Sequence, residues 1–246
     1  MKIFDVERQT ETSTVYSHNS RVCCLSFNDE NLFTSGSRDT SIVTHDLRLK
    51  SPTVLTFQKH TQEVCSLRWD SFSTYLASGG NENAVYVWDL RRTIPIKHFS
   101  EHRAAIRALC WSPHQFGMLA SGGGNNDKSI KFWNVGCSGE QSVETLSTDS
   151  QVCNIIFSSH SNEMLTTHGF SKNQLMVWNV PKKERFAVID AHQTRVLHAV
   201  YSPDGESVAT CSADETLKFW KVFLKQKTIF PNEKNALFER GSFSFR

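Results

Sequence analysis

The 246-residue chain has little net charge and no long apolar run, and each absence excludes a class of protein. Its 27 basic and 25 acidic residues leave a formal charge of +2, so no strong field is directed toward nucleic acid or an anionic membrane. No apolar stretch approaches the roughly 20 residues that a membrane-spanning helix needs, and the opening MKIFDVERQT lacks the features of a signal peptide. We therefore expect a protein of the cytoplasm and nucleus that binds neither nucleic acid nor a membrane.

The sequence also lacks the motifs of metal sites, disulfide frameworks and nucleotide-binding enzymes. Its seven cysteines are odd in number and lie in apolar stretches such as RVCCLSF and SQVCNIIF, which predicts reduced thiols in the core. Only Cys23 and Cys24 lie close together, so we expect no metal site. GGGNND falls at a predicted strand-to-strand turn instead of opening a helix, and no nucleophile has a base at a recognisable spacing. The sequence predicts neither a cofactor nor an enzyme.

A repeat runs through most of the chain. Segments ending THDLR, VWDLR, FWNV, VWNV and FWKV place His45, Trp88, Trp133, Trp178 and Trp220 at intervals of 43, 45, 45 and 42 residues. A period of about 40 to 45 residues is typical of WD repeats, each of which forms one four-stranded blade of a β-propeller. The period therefore predicts an all-β fold, a WD-repeat β-propeller.

The repeats divide the chain into three parts. Residues 1–17 read as a partial blade with a third and an outer strand, residues 18–223 as five full WD repeats, and residues 224–246 as a C-terminal tail without a repeat. A propeller normally closes on itself. Either five blades close this ring, or the ring is incomplete and exposes strand edges and an apolar blade face.

A histidine and an acidic residue recur at fixed places in the repeats. They are His18 with Asp39, His60 with Glu82, His102 with Asp127, and His192 with Asp214. In WD repeats this pair forms a buried hydrogen-bond network that fixes the blade corner, so we interpret the histidines as structural. The fourth repeat has Asp149 in place of the histidine and Lys172 at the turn, which predicts a salt bridge or a looser corner.

Several segments are more particular than a generic WD repeat. LASGGNENAVYVWDLR, EHRAAIRALCWSPHQFGMLASGGGNNDKSIKFWNV and above all HGFSKNQL are of this kind. With them, residues 1 to about 223 resemble the Fizzy and Fizzy-related activators of the anaphase-promoting complex. The resemblance implies a seven-bladed propeller that this chain enters at the third strand of the second blade. On that template the first blade and the N-terminal C-box arm are missing, and the sequence looks truncated at its N-terminus.

The resemblance implies a function in cell division. Such activators are substrate receptors of a ubiquitin ligase, so the expected partners are subunits of the anaphase-promoting complex and degron-bearing cell-cycle proteins, with mitotic checkpoint proteins as further partners. Two alternatives stay open. The chain is a truncated paralogue that binds degrons without activating the ligase, which the absent C-box favours, or it is a generic WD-repeat scaffold of another assembly.

The resemblance also implies residues that bind the Lys-Glu-Asn degron. Such a peptide needs amide side chains for hydrogen bonds and a basic group for its glutamate. The matching positions are Asn81, Asn83, Asn125, Gln151 and Arg195, with Asn125 in place of a hydroxyl residue of the family. The alternative is structural, since asparagine in a turn often supports a left-handed backbone and an arginine can cap a blade edge.

Two further sites follow from the resemblance. Glu215 matches the acidic residue that holds the arginine of the destruction box, but its partners on the first blade are missing, so we expect weak or absent binding of that motif. Phe245 and Arg246 match the Ile-Arg terminus that docks the activator onto the ligase through an apolar anchor, a guanidinium and a carboxylate. An unstructured tail is the alternative for these two residues.

Overall fold

A computed structural model describes residues 1–223 of the chain. These residues form 21 β-strands in antiparallel sheets and contain no helix. They belong to two compact units, Met1–Glu101 and the residues from His102 onward, which are described in turn.

The first unit contains a two-stranded sheet and two four-stranded blades, each with its strands in sequence order. The small sheet pairs β1 (Lys2–Asp5) with β2 (Thr10–Thr14). Blade 1 consists of β3 (Val22–Phe27), β4 (Leu32–Ser37), β5 (Ser41–Asp46) and β6 (Thr53–Gln58). Blade 2 consists of β7 (Val64–Trp69), β8 (Tyr75–Gly80), β9 (Val85–Asp89) and β10 (Lys97–Phe99).

The second unit contains three blades built in the same way. Blade 3 consists of β11 (Ile106–Trp111), β12 (Met118–Gly123), β13 (Ser129–Asn134) and β14 (Glu144–Ser147). Blade 4 consists of β15 (Val152–Phe157), β16 (Glu163–His168), β17 (Gln174–Asn179) and β18 (Glu184–Asp190). Blade 5 has three strands in the described part of the chain, β19 (Val196–Tyr201), β20 (Ser207–Ser212) and β21 (Leu217–Lys221).

The core lies between neighbouring blades. Blade 3 contributes Ala120 and Phe132 to one cluster, and blade 4 contributes Val152 and Trp178 to it from the opposite side. Blade 4 packs against blade 3 on one face and against blade 5 on the other, and its strand β17 accordingly carries apolar residues on both faces instead of alternating with polar ones. Burying a large apolar side chain contributes about 1.5 to 3 kcal/mol, so this packing is the main source of stability.

Blade 5 also has an exposed apolar face. Val200, Ala209 and Phe219 align across its three strands. Val200 is 63% exposed and Phe219 is 45% exposed, whereas Phe132, at the place of Phe219 in blade 3, is buried against blade 4. Blade 5 therefore combines one packed face with one apolar face that is open to solvent.

The first strand of every blade carries a bulge at its second residue. In β11, Ile106 pairs with Gly123 and Ala108 pairs with Gly122, so Arg107 has no pairing partner of its own. The same shift in register occurs at Cys23, Cys65, Cys153 and Leu197. A bulge changes the direction of a side chain without ending the sheet. The bulge residue is thus set apart from the ladder in each blade.

Candidate functional site

A hydrogen-bond network closes each blade corner next to the loops that carry the predicted binding residues. In blade 3, His102 Nε2 lies 2.6 Å from Ser121 Oγ and His102 Nδ1 lies 2.5 Å from Asp127. The indole N–H of Trp133 donates to the same Ser121 hydroxyl at 2.7 Å. Burial acts to raise the pKa of Asp127, but its hydrogen bonds, above all the one from His102, outweigh this effect and lower the pKa to about 2. The corner carboxylate is therefore ionised and paired.

The other three predicted pairs form equivalent networks. His18 bonds to Ser35 and Asp39, His60 to Ser78 and Glu82, and His192 to Thr210 and Asp214. The structural interpretation of these histidines is confirmed.

At the fourth corner the salt bridge that the sequence allowed is absent among the described residues. Asp149 and Lys172 form no ion pair within residues 1–223. Instead His168, the last residue of β16, is fully buried, with its Nε2 2.7 Å from Thr166 Oγ1. The indole N–H of Trp178 donates to the same hydroxyl at 2.8 Å. A strand histidine has replaced the loop histidine.

His168 fits at the end of β16 because the space at the end of the second strand differs between blades 3 and 4. In blade 3 this position is Gly123, because a Cβ there would lie 2.4 Å from the Asp127 carboxylate. Lys172 stands in place of that acidic residue in blade 4, so the space is open to the ring of His168. Burial lowers the pKa of His168 to about 4, and the ring is neutral at pH 7.

In the first unit, the turn between β8 and β9 holds Asn81 and Asn83. Asn81 is exposed, and its carboxamide donates to Gln62 Oε1 at 3.0 Å. Asn83 has a φ of +69° and its N–H donates to Gly80 O at 3.3 Å. Asparagine tolerates this left-handed backbone, so the turn alone accounts for Asn83. Asn81 is the side chain that this turn presents to solvent.

In the second unit, Gln151 and Arg195 come together around Gly169. A Cβ on Gly169 would lie 2.9 Å from Gln151 Oε1 and 3.3 Å from both Arg195 Cβ and Cys153 Sγ. The Gly169 N–H donates to Gln151 O at 3.0 Å, and this hydrogen bond joins the loop before β15 to the loop after β16. Within the described residues, neither the Gln151 carboxamide nor the Arg195 guanidinium has a hydrogen-bond or ion-pair partner. The Gln151 carboxamide and the side chain of Arg195 therefore start from the same place in the fold, and the bonding groups of both are unused within residues 1–223.

The loop that carries Arg195 is held from two blades. The Ser212 hydroxyl donates to Arg195 O at 2.8 Å, and the Gln193 N–H donates to Asp214 at 2.9 Å. From blade 4, Asn173 Nδ2 donates to Gln193 O at 2.9 Å. A backbone that is already fixed loses little entropy when a ligand binds, so only the Arg195 side chain has to be ordered.

Asn125 and Glu215 lie in exposed turns of the same unit. Neither side chain has a hydrogen-bond partner in the described part of the chain. Glu215 has a φ of +62°, and Lys128 and Asn173 adopt the same conformation in their own turns, with φ of +55° and +49°. The left-handed backbone is thus a property of this turn and not of the Glu215 side chain. Phe245 and Arg246 lie outside the described residues.

Sequence reasoning did not select Arg107. It is exposed at the bulge of β11, on the strand beside β15, and its positive charge reaches Cys153 next to Gly169. In the sequence it is one arginine in the apolar run IRALCW, a pattern typical of an edge or solvent-facing strand position. Only the bulge in the pairing of β11 with β12 distinguishes Arg107 from an ordinary strand residue.

Other kinds of site find no support in residues 1–223. No group of three or more His, Cys, Asp or Glu side chains there is arranged to hold a metal ion. No helix in this part of the chain has the length and apolar character needed to cross a bilayer. All seven cysteines are free.

Comparison with known proteins identifies the family. The family model described as the CDC20/Fizzy WD40 domain matches residues 1–220. The chain belongs to the CDC20/Fizzy family. A chain of the crystal structure of a mitotic checkpoint complex superposes with a TM-score of 0.86 at 43% identity, covering 90% of this chain and 68% of that one. The predicted WD-repeat β-propeller fold and the Fizzy resemblance are confirmed.

CDC20/Fizzy relatives come from plants and yeasts. Protein FIZZY-RELATED 1 of Arabidopsis thaliana is 41% identical over 100% of this chain, and meiotic fizzy-related protein 1 of Schizosaccharomyces pombe is 44% identical over 96%. The APC/C activator protein CDH1 of Saccharomyces cerevisiae is 42% identical over 94%. The chain spans 50%, 54% and 41% of these three proteins, about half their length.

Proposed function

We propose that this chain is the substrate-recognition propeller of an activator of the anaphase-promoting complex. It binds degron peptides of cell-cycle proteins and brings them to the ubiquitin ligase, and it catalyses no reaction itself. The observation that carries the proposal is the unpaired amide and cation of Gln151 and Arg195 around Gly169. The CDH1 relative, whose name describes an APC/C activator, and the likeness to a chain of a mitotic checkpoint complex support it.

The chemistry of the pair fits a Lys-Glu-Asn peptide. The Arg195 guanidinium forms a charge-assisted hydrogen bond with the glutamate carboxylate, and the Gln151 carboxamide both donates to and accepts from the peptide amides. Asn81, Asn83 and Asn125 are the further contacts that the family resemblance supplies. Of these, Asn81 and Asn125 have exposed side chains that are available to a peptide.

The remaining parts of the proposal concern partners. Glu215, exposed in its turn, is the acidic residue for the arginine of a destruction box, a motif that we expect this chain to bind weakly or not at all. Phe245 with Arg246 docks the chain onto ligase subunits. Mitotic checkpoint proteins are further partners. We place the protein in the cytoplasm and nucleus, where free cysteines are kept reduced, in agreement with seven unpaired thiols.

Calorimetry with a Lys-Glu-Asn peptide tests the binding site. Arg195→Ala lowers the affinity by about 1.5 to 3 kcal/mol, the scale of a hydrogen bond to a charged group, or roughly 10- to 150-fold. Lys182→Ala is the matched control, because Lys182 is an exposed cation in the turn after β17, at the other end of that strand from Asn173. It leaves the affinity unchanged. An Arg195→Ala chain that binds as tightly as the wild type removes Arg195 from the site.

A second assay tests activation separately from binding. The chain is added to purified anaphase-promoting complex with a Lys-Glu-Asn substrate, and ubiquitination of the substrate is followed. We expect stimulation that Arg195→Ala abolishes. Binding without stimulation shows a receptor that does not activate the ligase.

A further inference from the structure

Arg107 is a bulge residue on β11, the strand next to β15, which begins directly after Gln151. The first strands of blades 3 and 4, β11 and β15, are neighbours within the second unit, and Arg107 and Cys153 are their bulge residues. Cys153 Sγ and Arg195 Cβ both lie 3.3 Å from the place of a Cβ on Gly169. Arg195 therefore approaches Cys153 from blade 5, and Arg107 occupies the equivalent bulge position on the neighbouring first strand of blade 3.

The charges of both arginines act on the Cys153 thiol. Burial raises the pKa of the Cys153 thiol to about 11, while the positive charges of Arg195 and Arg107 act in the opposite direction and lower it. The thiol is consequently protonated at pH 7 and supplies no negative charge to balance the two arginines.

Neither arginine is balanced by an anionic group among residues 1–223. Arg107 is exposed, and within residues 1–223 neither Arg107 nor Arg195 forms an ion pair with a carboxylate. Like charges that lie near each other repel, and a bound anion relieves such repulsion. The bulge leaves Arg107 without a pairing partner on β12, so its side chain is not committed to the sheet.

We propose that Arg107 is a specificity-determining residue of the degron site, which binds a second carboxylate of the peptide next to the one that Arg195 binds. The inference rests on the proposed function, because it requires a Lys-Glu-Asn peptide at Gln151 and Arg195. The preferred ligand class is a Lys-Glu-Asn peptide with a second Asp or Glu close to the glutamate of the motif. Arginine suits this role because its planar guanidinium matches a carboxylate.

Calorimetry with paired peptides tests the inference. Each peptide carries the Lys-Glu-Asn core and a glutamate either before or after it, and its partner peptide carries glutamine at that position. The acidic peptide of at least one pair binds the wild-type chain about two- to fivefold more tightly, the range of an exposed ion pair. Arg107→Gln abolishes this advantage, whereas the control Lys182→Gln keeps it. An equal advantage in the Arg107→Gln chain, or none in the wild type, overturns the inference.

A charge exchange separates recognition from a structural effect. Arg107→Glu binds a peptide with lysine at the second position more tightly than the glutamate peptide, a reversal that a damaged fold does not produce. If Arg107→Gln weakens the binding of acidic and amide peptides equally, Arg107 acts through the overall charge of the chain and not through a contact with the second carboxylate. The inference then fails while the proposed function stands. Failure of the wild-type chain to bind any of these peptides overturns the proposed function, and the inference with it.

Discussion

The side-chain oxygen of Gln151 lies 2.9 Å from the place that a Cβ on Gly169 would take. Gly169→Ala therefore displaces the Gln151 carboxamide and crowds Arg195. We expect the affinity for a Lys-Glu-Asn peptide to fall about two- to tenfold, as for the loss of one hydrogen bond. The free energy of unfolding changes by less than about 1 kcal/mol, because the end of a flexible side chain moves aside at little cost. Peptide titration and urea unfolding measure the two effects.

Gly136→Ala is the control for this substitution. Gly136 follows β13, and a Cβ there meets only Asn134 Oδ1, at 3.3 Å. Its peptide affinity stays at the wild-type value. If Gly169→Ala binds the peptide normally, the position of Gln151 beside Gly169 has no part in recognition.

Ser121 connects a histidine and a tryptophan inside blade 3. Ser121→Ala leaves His102 Nε2 and the Trp133 indole N–H buried without their shared partner. Each unsatisfied buried group costs about 1 to 3 kcal/mol, so we expect a loss of about 2 to 4 kcal/mol in the free energy of unfolding. Ser121→Thr is much less damaging, because Thr210 fills the same place in blade 5 and bonds to both rings there. Equal losses in the two variants would show that packing matters here and the hydroxyl does not.

The blade corners show how far sequence reasoning reaches. The pairing of His102 with Asp127 was predictable because both residues belong to one repeat and recur at fixed spacing. The role of His168 was not, because it enters from a strand and the change that makes room for it lies at Lys172. Family resemblance selected Gln151 and Arg195, but their approach to Gly169 depends on how blade 4 packs on blade 5. Arg107 was missed because a bulge is a property of paired strands and cannot be read from one strand alone.

Burial of His168 makes the stability of the protein depend on pH. Its pKa is about 4 in the folded chain, below the ordinary value of 6.5, so between these pH values the unfolded chain binds a proton that the folded chain does not. This contribution to stability is complete above pH 6.5 and is lost as the pH falls toward 4. From pH 7 to pH 5 we expect His168 to account for a loss of about 2 kcal/mol in the free energy of unfolding.

Urea unfolding of the wild type and of His168→Gln at both pH values isolates this contribution. Other groups titrate in both chains, and their effects cancel in the difference between the two. The variant is less stable at pH 7 but loses less on acidification. An identical loss in wild type and variant contradicts the assignment to His168.

Glu215 gives a prediction for the second degron. Because the side chain is exposed and has no bonding partner in residues 1–223, Glu215→Gln removes a charge without disturbing a network. Fluorescence titration with a destruction-box peptide is expected to show affinity about two- to fivefold weaker, while Lys-Glu-Asn binding is unchanged. Equal weakening of both peptides would indicate an effect of net charge, and no weakening would exclude Glu215 from the arginine pocket.

The bulge at the second residue of the first strand of each blade leaves that residue outside the pairing that holds the sheet together. Cysteine, arginine and leucine all occupy this one position, and the ladder on either side of it is the same in each. Substitution there changes charge or size without disturbing a cross-strand partner. Selection can thus vary the charge and size of this residue one blade at a time while the pairing of the sheet is kept.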